Sequence, residues 1–188
     1  MEKPQEQIIK RAKEVHPGSL SPESFENILQ LGAEFAATQA DVRVFVLGNY
    51  SNKKRERLAD TVDIIDNNDE VDATGFQMTD FLQGDGELNG ILKYRLIADY
   101  ADHIFMVCED SEGGAAIEQG MLAVLPTHLQ KSHLYKREYA ADDLEHQRYS
   151  WMQSQGIFEI YEETNRLRKW QTPEELEEEV EQMLQELS

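Results

Sequence analysis

The chain of 188 residues carries a single cysteine, Cys108. One thiol excludes a disulfide framework and a thiolate-rich zinc site. Its place inside the apolar run IFMVC marks it as a buried strand residue and not a nucleophile. Long apolar runs are also missing: no stretch approaches the roughly 18 to 20 apolar residues that a membrane span needs, so no membrane partner is expected. The opening MEKPQEQIIKRAKEV is charged, helical in pattern and without the apolar core of a signal peptide, which leads to the expectation of a cytoplasmic protein. Basic residues are few, 18 against 37 acidic ones, for a net charge of −19. That field repels polyanions, and the densest basic run, Lys53-Lys54-Arg55 with Arg57, is too short to reverse it, so no nucleic-acid partner is expected. The run reads instead as a charged helix start. The histidines form no HxxxH or HExxH pair, and no transition-metal site is expected. Asp63, Asp66, Asp69 and Asp72 read as a solvated acidic helix end.

What is present suffices for a folded core. Hydrophobic residues make up 40% of the chain, too many for a disordered one, and the length fits one domain. The acid excess is spread along the chain, as in cytoplasmic proteins of salt-loving archaea, which suggests a halophilic habitat. Periodicity predicts helices over 4–15 and from Ser21-Pro22-Glu23 to about Thr38, the latter opened by a serine cap and a first-turn proline. VRVFVLG (42–48) reads as a strand buried on both faces. A helix from about Lys53 to Asp66 follows, then a strand within 70–78, a polar loop QGDGE, and a helix over 87–101 with Leu88, Ile91, Leu92, Leu96 and Tyr100 on its apolar side. HIFMVCE (103–109) is the strongest strand, with a helix from about Ala115 to Gln130 after it. SHLYK, DDLEHQRYSWMQSQ and IFEIYEE are expected as a strand, a helix and a fifth strand. Thr172-Pro173-Glu174 opens an amphipathic, acidic C-terminal helix.

Strands alternating with helices of ten or more residues predict an α/β fold, a doubly wound, flavodoxin- or Rossmann-like parallel sheet of about five strands. The expected organisation is N-terminal helices (1–40), an α/β core (41–165) and the C-terminal helix (166–188), all in one domain. Ligands of such sheets bind beyond the carboxyl ends of the strands, near the point where strand order reverses. The loops at Gly48–Asn52, Met78–Glu87, Glu109–Gly114 and Tyr135–Tyr139 are therefore the candidate ligand loops.

Within DSEGGAAIEQG (110–120), Gly113 and Gly114 offer backbone angles closed to other residues and close approach to the main chain. The helix start behind them leaves N–H groups unpaired. Glu118 falls one turn inside and leans back toward that start, where the helix dipole favours an ionised carboxylate, as a nucleophile or a stabiliser of positive charge requires. The loop lacks the Gly-Lys-Ser/Thr of a P-loop and the GxGxxG of dinucleotide sites.

The span from Ile97 to Val124, IADYADHIFMVCEDSEGGAAIEQGMLAV, resembles the signature of the nucleoside 2-deoxyribosyltransferase-like superfamily. Asp102, the strand IFMVC, Asp110, Gly113-Gly114, and Glu118 with Gly120 take the places of its aspartate lead-in, apolar strand, glycine-bearing loop and glutamate-glycine helix start. VRVFVLGNY (42–50) is similar to the first strand and ligand loop of that fold, and TIR-type domains share the broad arrangement. The resemblance implies an N-glycosidase or deoxyribosyl transferase acting on a nucleoside or nucleotide without a cofactor, with Glu118 as the nucleophile. It further implies Asp110 and Asp80 as partners of the base or sugar hydroxyls, Tyr50 as orienter of the carboxylate, and Gly48, Asn49, Gly113 and Gly114 as ligand-loop residues. It also implies a homo-oligomer. Ala115, Ala116 and Ile117, and the segment PTHLQKSHLYK, depart from the family pattern and leave the substrate open. The alternative is a non-catalytic nucleotide-sensing or protein-interaction module of the same fold.

Overall fold

The computed structural model describes residues 4–15, 18, 20–82, 88–112, 114–140 and 147–187. Five strands form one all-parallel sheet: β1 (Val42–Gly48), β2 (Ala73–Phe76), β3 (His103–Cys108), β4 (Ser132–Arg137) and β5 (Leu167–Trp170), in the order β2-β1-β3-β4-β5. The central register aligns Val44 with His103 and Gly48 with Val107. Helices cover both faces, as a parallel sheet requires. On one side lie α1 (Pro4–Val15), α2 (Pro22–Ala37), α4 (Gly90–Tyr100), α5 (Ala115–Val124) and α7, which is π-helical over Gln153–Ile157 and α-helical over Phe158–Glu163. On the other lie α3 (Asn52–Asp66) and α8 (Pro173–Leu187). A short α6 (Pro126–Leu129) follows α5, and a 3-10 turn (Met78–Asp80) follows β2. The expected doubly wound α/β fold is the one observed.

Alternation along the strands divides the core. Phe45, Leu47, Ile104, Met106, Cys108 and Leu134 pack under α1, α2, α4, α5 and α7, whereas Val44, Val46, Phe105, Val107, Tyr135 and Trp170 pack under α3 and α8. The expected caps form: the Ser21 hydroxyl accepts from the Ser24 N–H at 3.0 Å, and the Thr172 hydroxyl accepts from the Glu175 N–H at 3.3 Å. Asp66 accepts from the Thr74 hydroxyl and the Gly75 N–H and so ties the end of α3 to β2. No helix among the described residues is long and apolar enough to cross a membrane.

Several elements differ from expectation. IFEIYEE is helical and belongs to α7, and the fifth strand is LRKW, which lies in the stretch assigned to the C-terminal helix. Ile157, Phe158 and Tyr161 are buried together with Gln153, a spacing of four, five and eight residues that one helical face collects. The β-branched and aromatic content of IFEIYEE mimics a strand, while LRKW hides one behind two charges. Those charges suit an edge strand: Arg168 reaches Glu179 and Glu186 on α8, and the Trp170 indole donates to the Tyr135 carbonyl at 3.0 Å. The helix expected to run to Gln130 breaks at Pro126, where a proline removes a backbone donor. The expected helix DDLEHQRYSWMQSQ falls partly on 141–146, outside the described residues.

Candidate functional site

Strand order reverses between β1 and β3, and above the carboxyl ends of these two strands is where a doubly wound sheet places its ligand crevice. The loop after β1 carries Asn49, Tyr50 and Ser51; the loop after β3 carries Glu109 to Glu112 and leads into α5. Gly48 ends β1 where no side chain fits, since a Cβ there would lie 2.7 Å from Leu58 Cδ2 and 2.8 Å from the Val107 carbonyl oxygen. The glycine is required by the packing of α3 on the sheet, and nothing in its surroundings singles out a ligand contact.

The acids of the β3 loop are engaged. Asp110 is buried, ion-pairs with Lys54 and accepts the Glu112 N–H at 3.0 Å, with the Asn49 amide at 3.5 Å. Asn49 also accepts the Ser51 N–H at 3.0 Å and donates to the Glu112 carbonyl, so it joins the two loops. Buried Glu109 is held by a forked ion pair with Arg57 and by Arg137 at 3.1 Å. The basic start of α3 thus serves as counter-charge for these two buried carboxylates. Beneath the loop, the Gln153 amide donates to Gln119 Oε1 at 2.7 Å and to the Asp110 carbonyl at 3.2 Å, while the Gln119 amide lies 2.9 Å from Cys108 Sγ. The Cys108 thiol is buried and burial pushes it up to about 12, which keeps it neutral and inert. Tyr149 clamps the same corner by donating to the Cys108 and Arg137 carbonyls. These bonds fix where α5 starts.

Glu118 stands one turn inside α5, its N–H paired to the Gly114 carbonyl at 3.0 Å. It is 9% exposed, its Oε2 has no hydrogen-bond partner, and burial alone pushes its carboxyl up to about 7. The sequence suggests a carboxyl kept ionised by the helix start; burial instead raises it, and the group divides between its two forms near neutral pH. Two phenols share its surroundings. Burial, and next the charge of Glu118, push both Tyr50 and Tyr94 above the ordinary tyrosine value, so both remain neutral donors. Neither hydroxyl has a partner in good geometry, although Tyr50 lies close to the Met78 backbone. Three orphaned buried polar atoms from β1's loop, α4 and α5 thus occupy one neighbourhood, an arrangement that a polar guest would complete.

Of the sequence-predicted residues, the structure brings Tyr50 to Glu118 and Asp80 within electrostatic reach of Tyr50. Asp80 is exposed and uses Oδ2 to accept the Gln77 N–H at 2.6 Å, capping its own turn. Asp110 and Asn49 lie in the crevice wall with their polar groups occupied by each other and by Lys54. Gly114 has right-handed helical angles, φ −65° and ψ −24°, and open space where a Cβ would stand, so the special backbone freedom expected of it is not used. Gly113 and the loop QGDGE lie outside the described residues.

Tyr94 is the site residue that periodicity missed. The expected apolar stripe on α4 placed Ile91 inward, whereas Ile91 is 59% exposed and Tyr94 is 2% exposed. A helix whose inner stripe contains a tyrosine in place of an aliphatic carries a polar tip into the core, and that was the available signal.

Residues 33–147, from within α2 to beyond β4, match a family of unknown function, DUF8170. The match spans more than half of the chain and includes Tyr50, Asp80, Tyr94, Asp110 and Glu118; the chain belongs to this family. A search of the curated proteins found no match.

Proposed function

We propose that the protein binds a nucleoside or nucleotide in the crevice between the β1 and β3 loops and cleaves or transfers its N-glycosidic bond, with Glu118 as the nucleophile. The reading joins the sequence resemblance to one observation: Glu118 is a buried carboxylate with an unpartnered oxygen at the reversal point of a parallel sheet. The desolvation that raises its pKa also strips water from the attacking oxygen. In its ionised form it stabilises the positive charge that gathers on the sugar as the glycosidic bond stretches. The bond from the anomeric carbon to the base nitrogen breaks, its electron pair leaves on the nitrogen, and an ester forms between the sugar and Glu118. The departing nitrogen takes a proton from solvent. Water or a second base then attacks the same carbon and frees the carboxylate. Tyr50 and Tyr94 orient Glu118 and donate to it once it is charged.

The test is a product assay over nucleosides, nucleotides and NAD in concentrated salt. Release or exchange of the base is expected from the wild type and is expected to be lost in Glu118→Gln. Base release that survives the substitution removes the nucleophile assignment. Specific nucleotide binding without turnover in both proteins would instead favour a sensing module. The halophilic habitat and a homo-oligomeric state belong to the same proposal; light scattering in concentrated salt checks the latter.

A further inference from the structure

A cavity of about 660 Å3 opens at the opposite end of the sheet from Glu118, bounded by α1, α2, the end of α4 and the segment leading into β4. This volume falls within the range of small-molecule sites. One wall is apolar, with Ile8, Phe35 and Leu96. The other gathers Arg11, Arg43 and Lys131 in a chain whose net charge is −19. The formal charges there balance, three cations against Glu14, Asp99 and Asp102, but the pairing is uneven: Arg11 takes two carboxylates, Arg43 one and Lys131 none. Arg11 is forked to Asp99, with a 2.6 Å contact, and touches Glu14. Arg43 is forked to Asp102 at 2.8 and 2.9 Å and stacks 4.3 Å over the Tyr100 ring. Asp99 also receives His128 at 2.7 Å, so both of its oxygens are occupied. Lys131 donates only to carbonyls, those of Ala101 at 2.5 Å and Asp99 at 3.5 Å, and no described carboxylate lies within ion-pair distance of it. A half-buried ammonium thus faces a roomy cavity beside an aromatic-backed guanidinium, and burial lowers its pKa, a penalty that a bound anion would relieve.

We propose that this cavity is a second ligand site, taking a small organic monocarboxylate whose anionic end meets Lys131 and Arg43 and whose apolar body lies on Ile8, Phe35 and Leu96. One ammonium without a direct carboxylate partner fits one negative charge, and the apolar wall fits a hydrocarbon or aryl body more than a bare inorganic anion. The site is independent of the Glu118 crevice, because it lies at the amino ends of the strands, where Arg43 and Lys131 flank the starts of β1 and β4.

The experiment is displacement of a fluorescent apolar monoanion, anilinonaphthalene sulfonate, by octanoate at fixed salt, with thermal melts reporting folding. Octanoate is expected to displace the dye from the wild type and from Glu118→Gln equally. Lys131→Met is expected to weaken octanoate by about tenfold or more, the loss of one charge-assisted hydrogen bond, while Lys131→Arg stays within about threefold. Ala36→Trp, which places bulk at the exposed rim of the cavity, is expected to abolish displacement. Unchanged octanoate affinity in both Lys131→Met and Ala36→Trp overturns the proposal. So does equal displacement by octanol, which lacks the charge, or by inorganic phosphate, which lacks the apolar body. Amide shifts on octanoate addition should gather at 35–43, 96–100 and 127–131; shifts gathered instead at the exposed apolar residues Ile117, Val124 and Trp151 also overturn it.

Discussion

Removing the charge of Glu118 while keeping its shape should stabilise the protein, and by an amount that depends on pH. The ordinary glutamate value is 4.5 and the folded value is about 7. At about 1.4 kcal/mol for each pH unit, ionising Glu118 in the folded state costs roughly 3 kcal/mol. The sign follows from linkage. The folded state holds the proton more tightly than the unfolded state, so below about pH 4.5 both are protonated and there is no penalty. Between 4.5 and 7 the unfolded chain ionises first and gains, and stability falls as pH rises. Above 7 the penalty is complete and level. Glu118→Gln never ionises, so its melting temperature should approach that of the wild type near pH 4.5 and exceed it above pH 7.5. For a chain of this size roughly 3 kcal/mol corresponds to about 6 to 12 °C. The other titrating groups are common to both proteins, and their effects cancel in the difference. The assay is thermal denaturation of the pair across pH 4.5 to 8.5 at constant salt. A difference that is flat with pH, or that favours the wild type at high pH, refutes the claim that Glu118 is a desolvated carboxylate. The same ionisation should appear as an ascending limb near pH 7 in any glycosidic activity.

Glycine substitutions should separate packing from loop geometry. Gly48→Ala drives a Cβ against Leu58 and the Val107 carbonyl and should cost about 1–3 kcal/mol in denaturant titrations. Gly114→Ala meets open space at right-handed angles and should be neutral or stabilising by up to about 1 kcal/mol. Asp110→Asn leaves the half-buried Lys54 ammonium with only its 3.4 Å contact to exposed Glu112 and should destabilise by about 1–3 kcal/mol, read from the shift in denaturation midpoint. Cys108 should resist aromatic disulfide reagents in the native protein and react only on unfolding, because the thiol is 1% exposed and pushed up to about 12; rapid reaction of the folded chain would contradict its burial.

The fold was legible because the strongest strands are buried on both faces. VRVFVLG and HIFMVC could be recognised as continuous apolar runs, and their all-helical connections force a parallel sheet. The errors occurred where one pattern satisfies two periods. IFEIYEE places apolar side chains both on a helical face and in strand-like density, and only the partners beneath it, Tyr149 and the Ser132 hydroxyl that meets Tyr161 at 2.7 Å, decide for the helix. LRKW became a strand because β4 offered a parallel edge and α8 supplied the counter-charges, neither of which is visible locally.

The site was legible to a different degree. Glu118 and Tyr50 could be placed from the strand-to-helix transitions alone, since chain order fixes which loops leave the carboxyl ends. Charge states could not, because they depend on partners distant in sequence. In a chain with 37 acidic residues, a carboxylate draws no attention until its neighbours are known. Asp110 lies eight positions from Glu118 and looks equally suited to bind a ligand, yet Lys54 and Asn49, more than fifty positions away, engage it. Glu109 is engaged in the same way by Arg57 and Arg137. Among the described residues, Glu118 Oε2 is the one buried carboxylate oxygen with no hydrogen-bond partner. The surrounding cations hold the loop acids and fix the start of α5, and none of them reaches Glu118. That division gives the crevice a rigid wall and one desolvated carboxyl, and it makes Glu118→Gln the substitution that discriminates best: a structural acid would lose stability with its charge, whereas this one should gain it.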